Sequence, residues 1–123
     1  MIKGLLIDVN TGIVKIYEFD NSLDEYYKIL NCTCIDITCR LVGNKFFRFV
    51  VDDLGAVKKD PIPSFIDLKK DIVLLYGNLF IVSNDVFNGE LQSLTDEDIE
   101  YLMDYVIPVR YKKEDRMIYI LAN

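Results

Sequence analysis

Two turn-like segments rich in glycine and asparagine interrupt β-rich runs in the first half of the chain, and they constrain the fold more than any other feature. Asn10-Thr11-Gly12 lies within residues 3–19, and Gly43-Asn44 separates residues 33–42 from residues 45–52. Both residue types tolerate the positive φ angles of tight turns, and strands joined by so few residues can only be antiparallel. The sequence therefore predicts two β-hairpins. One face of the last of these strands is apolar: Phe47, Phe49 and Val51.

Residues 21–31 have the pattern of a short amphipathic helix. Ser22, followed three residues later by Glu25, is typical of a capping box, and Asp24 suits the positively polarised start of a helix. Apolar side chains then recur at the i, i+3, i+4, i+7 spacing of one helix face. These side chains are Leu23, Tyr26, Tyr27 and Leu30.

A second helix is predicted over residues 96–106. Thr95 is the expected N-cap, because its hydroxyl can accept a hydrogen bond from a free backbone N–H of the first turn. Pro108 is expected to end the helix. Three acidic residues fill the first turn: Asp96, Glu97 and Asp98. The apolar stripe has the same spacing as in the first helix: Ile99, Leu102, Met103 and Val106.

The remaining segments complete a single α+β domain over residues 1–123, built mainly on an antiparallel sheet of hairpins with two short helices. Residues 72–82 are apolar on both faces, and periodicity leaves open whether Gly77-Asn78 is a bulge within one strand or the turn of a hairpin. The prolines of residues 61–63 indicate an irregular connection, and residues 83–93 a loop. Residues 116–122 are predicted to form a final strand.

All three cysteines lie within residues 32–39. Alternation along the strand puts Cys39 on the apolar face with Ile37 and Leu41, and Cys34 on the polar face, so the two thiols should point apart. The chain contains no histidine. This spacing therefore indicates neither a tetrahedral metal site nor a disulfide framework. We interpret the cysteines as reduced thiols that act as small apolar residues, with Cys39 buried and the other two dispensable for folding.

The acidic residues are concentrated in one segment. The chain has 123 residues and a formal net charge of −6, yet residues 71–109 contain eight acidic and no basic side chains, whereas residues 1–70 contain ten of each. This balance argues against binding to a nucleic acid backbone. The longest apolar run is much shorter than the about 20 residues that a spanning helix needs, and the N-terminus does not resemble a secretory signal. We therefore expect a cytoplasmic location and no membrane partner.

The predicted second helix offers the best candidate for a binding surface. With its apolar stripe turned inward, three carboxylates should lie on the outer side, with two tyrosines beside them. We expect this surface to bind a host or element-encoded protein through a basic groove, and in a sharper version to imitate DNA phosphates. The alternative is that these charges only support the helix start and solvate the surface. The candidate partner-binding residues are Glu97, Glu100, Tyr101, Asp104 and Tyr105.

Two other functions stay open. Asp53, Asp67 and Lys69 follow the order of a metal-dependent nuclease pattern, in which carboxylates hold magnesium and the lysine stabilises the attacked phosphate. The pattern is short, and without histidine the chain has no histidine general base. We therefore expect no catalytic residue, metal or cofactor. A homodimeric regulatory or structural subunit is the other alternative, with residues 117–123 as an exposed sheet edge. The sequence leaves open whether this strand lies at the edge or inside the sheet.

Several phrases, taken together and in order, resemble a known family. They are LLIDVNTG, IDI followed by VG, VDDLG, PIP, GNLFIV and GELQSLTDED. The resemblance covers nearly the whole chain. The family consists of small proteins catalogued only as a domain of unknown function, typically encoded by phages, plasmids and conjugative elements, and no catalytic residue is assigned in it. The resemblance implies a mobile-element setting, where small acidic proteins often inhibit host machinery. Our hypothesis is a non-catalytic, protein-binding inhibitor of a host nucleic-acid-targeting defence system.

Overall fold

The computed structural model describes residues 1–123 and contains eleven strands, two α-helices and one short 3-10 helix. The first half comprises β1 (Ile2–Asp8), β2 (Ile13–Phe19), α1 (Leu23–Leu30), β3 (Ile35–Val42), β4 (Lys45–Asp52) and the 3-10 helix (Gly55–Val57). The second half comprises β5 (Pro63–Asp67), β6 (Ile72–Tyr76), β7 (Leu79–Ser83), β8 (Val86–Phe87), β9 (Glu90–Leu91), α2 (Asp96–Met103), β10 (Val106–Tyr111) and β11 (Arg116–Ala122). Neither α-helix is long and apolar enough to cross a lipid bilayer.

The first sheet has five strands in the order β2-β1-β7-β4-β3, all of them antiparallel to their neighbours. Both predicted hairpins, β1–β2 and β3–β4, are confirmed within it. Gly12 and Gly43, in the two turns, have φ angles of +76° and +64°, which are strained for residues with a side chain.

The second sheet has four strands in the order β10-β11-β5-β6. Its β11–β5 pair is parallel, and its other pairs are antiparallel. The predicted α+β class with a mainly antiparallel sheet is therefore confirmed. Of the two alternatives for the terminal strand, the exposed edge is wrong and the position inside the sheet is confirmed, because β11 lies between β10 and β5 and pairs on both sides.

Two apolar cores cover the two faces of the five-stranded sheet. The larger core lies between this sheet, the four-stranded sheet and α2, and the stacked rings of Phe49 and Phe65 join the two sheets with centroids 5.3 Å apart. The predicted face of β4, with Phe47, Phe49 and Val51, points into this core. The smaller core lies on the opposite face, where Tyr26 and Leu30 of α1 pack against Phe80.

Residues 72–82 form neither one bulged strand nor a hairpin. They form β6 and β7, which belong to different sheets, and the chain crosses between the sheets at Gly77 and Asn78. Gly77 has a φ angle of +82°, and Asn78 is almost fully buried. The side-chain Oδ1 of Asn78 accepts a hydrogen bond from the N–H of Val9 at 2.9 Å, and its Nδ2 donates to the carbonyl of Ile29 at 3.2 Å. The crossover is thus fastened to the first hairpin and to α1.

Two segments predicted to be irregular contain strands. The first of these segments, the proline-containing connection at residues 61–63, ends at Pro63, where β5 begins. Proline is tolerated there because the first residue of a strand can lack a hydrogen-bond donor, and Phe65 anchors the strand in the core. The predicted loop at residues 83–93 holds the small β8–β9 hairpin, whose turn contains Gly89 with a φ angle of +75°.

The first helix begins as predicted, with Ser22 Oγ accepting a hydrogen bond from the N–H of Glu25. Of its predicted stripe, Tyr26 and Leu30 are buried, whereas Leu23 is 52% exposed. Leu23 is the first residue of the helix, at the end of the stripe, so the smaller core reaches only the middle and last turns.

The second helix ends earlier than predicted, at Met103 instead of Val106. The N–H of Tyr105 bonds to the carbonyl of Leu102 in a final turn, and Val106 then pairs with Leu121 as the first residue of β10. Pro108 lies inside β10, which is an edge strand and therefore tolerates a missing N–H. As a result, Met103 of the predicted stripe is 45% exposed.

Of the three cysteines, Cys34 is exposed as its polar-face position predicted, whereas the predicted burial of Cys39 is wrong. Cys39 is exposed, and its Sγ contacts Oδ1 of Asn84 at 3.1 Å. Cys32 is half-buried against the smaller core, and burial, reinforced by the nearby Asp52 carboxylate, raises the pKa of its thiol. Cys39 does lie on the same face of β3 as Ile35, as the alternation predicted. However, β3 is an edge strand, and the smaller core covers only the Ile35 end of this face.

Candidate functional site

The candidate surface is the outward side of α2, which we call the acidic face and define as Glu97, Glu100 and Asp104. Helix periodicity places these residues opposite Ile99 and Leu102, which are buried in the larger core. All three carboxylates are exposed, and none of them forms a salt bridge within the chain. The predicted outward placement of these side chains is confirmed, and their partner-binding role stays a prediction.

The start of α2 is held by two reciprocal hydrogen bonds. Thr95 Oγ1 accepts from the N–H of Asp98 at 3.1 Å, and Asp98 Oδ2 accepts from the N–H of Thr95 at 3.2 Å. Asp98 also pairs with Lys45, the first residue of β4. Asp98 is therefore committed to the fold, unlike the neighbouring Glu97.

The two tyrosines of the predicted site anchor α2 to the β3–β4 turn. The Tyr101 hydroxyl donates to the carbonyl of Val42 at 2.7 Å and accepts from the N–H of Asn44 at 3.1 Å. A hydrogen bond to Tyr101, followed by burial, raises the pKa of Tyr105. A side chain at Gly43 would collide with both hydroxyls. The tyrosine rings are half-buried, so they fix the position of the acidic face and have limited surface left for a partner.

An apolar depression adjoins the acidic face on the side of Met103. It has a volume of about 350 Å³ and is lined by Val14, Met103, Val106 and Tyr119. Met103 and Tyr119 are 45% and 44% exposed. Sequence reasoning missed this depression, because its residues come from four different elements and Met103 was assigned to the buried stripe. Methionine and tyrosine are enriched in the cores of protein interfaces.

The nuclease pattern is not assembled into one site. Asp67 and Lys69 line an open groove with Tyr101 and Tyr105, whereas Asp53 lines a separate depression beside β6. Oδ1 of Asp67 accepts hydrogen bonds from the N–H groups of Lys69 and Lys70, which is the role of an aspartate that shapes a turn. No group of three or more cysteine, aspartate or glutamate side chains has an arrangement that could hold a metal ion.

A small polar cavity lies where four of the segments that carry the family resemblance meet: LLIDVNTG, VDDLG, PIP and GNLFIV. Its lining includes Asn10, Gly55, Ile62 and Asn78, and its volume is about 100 Å³. Two of the charges at its wall pair with each other, since Lys58 Nζ lies 2.5 Å from Oδ2 of Asp52. A cavity of this size holds a few water molecules, so we interpret these phrases as the residues that close the fold at the sheet crossover.

Comparisons with known proteins give one match. No curated protein and no solved structure matches the chain. The sequence profile of the family described as Domain of unknown function (DUF3846) matches residues 2–107, which include α2 and every strand of the five-stranded sheet. Because this match covers most of the chain, the protein belongs to the family described as Domain of unknown function (DUF3846).

Proposed function

We propose that the protein is a non-catalytic binding protein whose acidic face docks on a basic surface of another protein. One observation carries this proposal: Glu97, Glu100 and Asp104 project from a firmly anchored helix and form no salt bridge within the chain. The segment of residues 71–109 contains no basic side chain, and the lysines that reach it from elsewhere, Lys3 and Lys45, pair with Asp96 and Asp98 and not with the acidic face. The acidic face therefore keeps a negative potential.

The apolar depression beside the acidic face supplies the second part of the proposed interface. Charged residues steer association and set specificity, whereas buried apolar and aromatic side chains contribute most of the binding energy. Met103 and Tyr119 are exposed enough to contact a partner, and the half-buried Val14 and Val106 line the same depression. A partner should therefore combine a basic patch with an apolar side chain next to it.

We further propose that the partner is a nucleic-acid-targeting protein of a host defence system. Such a protein needs a basic groove to neutralise phosphates, and an acidic face can occupy that groove in place of nucleic acid. The resemblance to proteins of phages and other mobile elements favours the same class of partner. Direct binding of nucleic acid by this chain is disfavoured by its net charge of −6.

The test is an affinity pull-down with mass spectrometry from the producing host, comparing wild type with the triple variant Glu97→Lys, Glu100→Lys and Asp104→Lys. We expect the wild type to retain a partner with a basic surface, in a salt-sensitive manner, and the variant to lose it. The matched control makes the same change in charge at exposed acidic residues elsewhere: Glu18, Asp20 and Asp53.

The control variant should retain the partner, since its altered residues lie off α2. Both variants should give the far-ultraviolet circular dichroism spectrum of the wild type, because none of the six residues is buried. Equal retention by the wild type and the acidic-face variant would refute the proposal. Equal loss in both variants would show that net charge, and not this face, drives the association.

A further inference from the structure

The outer edge of the five-stranded sheet at β3 lacks the lysine and the proline that often protect a sheet edge. Strand β3 has eight residues, pairs only with β4, and contains neither lysine nor proline. The other edge of the same sheet, β2, carries Lys15, and β10 carries Pro108. Such residues oppose the addition of another strand. The remaining edge strand, β6, is shorter, with five residues. β3 is thus the longest edge strand of the molecule that contains neither lysine nor proline.

Alternation along β3 fixes which backbone groups are available. The carbonyl of Cys34 accepts from the N–H of Asp53, on the β4 side, whereas the carbonyl of Leu41 accepts from the side chain of Asn123, on the outer side. Because N–H and C=O of one residue point the same way and neighbours point oppositely, those of Ile35, Ile37 and Cys39 face outward. A strand added at this edge would find the N–H and C=O groups of these three residues free, whereas the carbonyl of Leu41 is already bonded to Asn123.

The sequence of β3 complements itself about Thr38. Asp36 and Arg40 lie two positions to either side of Thr38, and Ile37 and Cys39 one position to either side. If a second β3 runs antiparallel with Thr38 opposite Thr38, each Asp36 lies opposite an Arg40, and each Ile37 opposite a Cys39. In this register, residues whose backbone N–H and C=O groups face outward lie opposite each other. An antiparallel ladder requires this arrangement.

The charged residues of β3 have no partner within the chain. Arg40 makes no salt bridge, and its Nε is buried without a hydrogen-bond acceptor. Unpartnered buried donors are rare in folded proteins because they lose hydration without compensation. Asp36 is exposed and likewise unpaired. A directly opposed Asp36 from a second copy brings a carboxylate to the guanidinium of Arg40.

We propose that a second copy of this chain docks on β3, so that two five-stranded sheets join into one continuous sheet about a two-fold axis at Thr38. Each Ile37–Cys39 pair exchanges main-chain hydrogen bonds, and each Asp36–Arg40 pair forms a cross-strand ion pair. The apolar side of the joint covers side chains that are exposed in the single chain, including Ile37, which is 44% exposed, and Leu41, which is 41% exposed. This dimer goes beyond the proposed binding role of the acidic face and does not depend on it.

The decisive experiment reverses the two charges separately and together. The oligomeric state is measured by sedimentation velocity up to about 1 mM protein. We expect the wild type to dimerise and the single variants Asp36→Arg and Arg40→Asp to dimerise roughly tenfold more weakly or not at all, since each places like charges opposite each other. The double variant should dimerise like the wild type, because the strand remains self-complementary. An equimolar mixture of the two single variants should form a heterodimer, seen by native mass spectrometry.

A matched control reverses charges on the opposite edge, with Lys15→Glu and Glu18→Lys in β2, and should leave dimerisation unchanged. A second measurement does not depend on these charges. With Cys32, Cys34 and Cys39 replaced by serine, Thr38→Cys should give a disulfide-linked dimer on oxidation, because directly opposed residues approach closely enough. A wild-type chain that stays monomeric at about 1 mM, or single variants that dimerise as the wild type does, would overturn the proposal.

Discussion

Lys45 Nζ donates a hydrogen bond to Oδ1 of Asp98, which joins the beginning of β4 to the first turn of α2. Burial raises the pKa of Asp98, but the hydrogen bonds from Lys45 and Thr95 outweigh it, and the net pKa lies below the ordinary value. The same hydrogen bond raises the pKa of Lys45. Two elements far apart in the chain are therefore coupled through one carboxylate.

Replacing Asp98 should destabilise the protein in a pH-dependent way. We expect Asp98→Ala to lower the free energy of unfolding by about 1–2 kcal/mol at pH 7, because the ion pair with Lys45 and the hydrogen bond from the N–H of Thr95 are both lost. The folded-state pKa is depressed, so the contribution of Asp98 is present above its unfolded pKa and is lost as the pH falls through the folded value. The difference between variant and wild type, measured by urea denaturation, should shrink below about pH 4.

The control for this experiment is Asp96→Ala, at the exposed first residue of α2. Asp96 pairs with Lys3 at 3.2 Å, but its side chain is 95% exposed, so the effect should stay below about 1 kcal/mol. A stability difference for Asp98→Ala that stays constant from pH 7 to pH 3 would contradict the assigned role of the Asp98 charge.

Asn78 should be among the most sensitive polar positions of the chain. Asn78→Ala is expected to lower the free energy of unfolding by about 2–4 kcal/mol, because the N–H of Val9 and the carbonyl of Ile29 would be left buried without partners. Chemical denaturation followed by circular dichroism measures this change. Asn84→Ala, at an exposed position, is the control and should change stability by less than about 0.5 kcal/mol. Equal losses of stability for Asn78→Ala and Asn84→Ala would rule out that the side chain of Asn78 holds the crossover in place through these hydrogen bonds.

The three thiols should differ in reactivity. At low micromolar concentration, Cys34 and Cys39 should react rapidly with a disulfide reagent because both are exposed, whereas Cys32 should react slowly because it is half-buried and its thiol pKa is raised. Single-cysteine variants followed by absorbance make the comparison. Rapid modification of Cys32 together with protection of Cys39 would contradict the burial described for β3.

The two parts of the proposed interface should affect different rate constants. Reversing the charges of Glu97 and Glu100 should mainly slow association with the partner and reduce its salt dependence. Tyr119→Ala removes an apolar contact and should mainly speed dissociation, with little effect on folding since Tyr119 is half-exposed. Surface plasmon resonance at several salt concentrations separates the two effects. If the charge reversal, like Tyr119→Ala, changed only the dissociation rate and left the association rate unchanged, electrostatic steering by the acidic face would be refuted.

Local patterns predicted the parts of the fold that depend on neighbouring residues. The turn at Gly43-Asn44 and the caps at Ser22 and Thr95 follow from backbone preferences within a few residues. The outward direction of the acidic face follows from the helical period. These features were therefore accessible from the sequence alone.

Long-range pairing decided the features that were predicted wrongly. The chain crosses between two sheets at Asn78, and no local signal distinguishes that crossover from a hairpin. Val106 continues the helical stripe in sequence, yet it joins β10 because β11 is available to pair with it. Cys39 lies on an apolar face that nothing in the chain fully covers. The depression at Met103 and Tyr119 likewise exists only after distant strands have met.

The position of β11 has a consequence for the order in which the molecule can fold. The hairpins β1–β2 and β3–β4 pair residues that are close in the chain, so both can form while synthesis continues. The four-stranded sheet cannot, because β11 is the strand that connects β10 to β5, and it is made long after β5. Phe65 can pair with Leu75 of β6, but its other sheet neighbour, Leu121 of β11, is missing during that interval. On the ribosome, the five-stranded sheet should therefore gain protection from proteolysis earlier than β5 and β6.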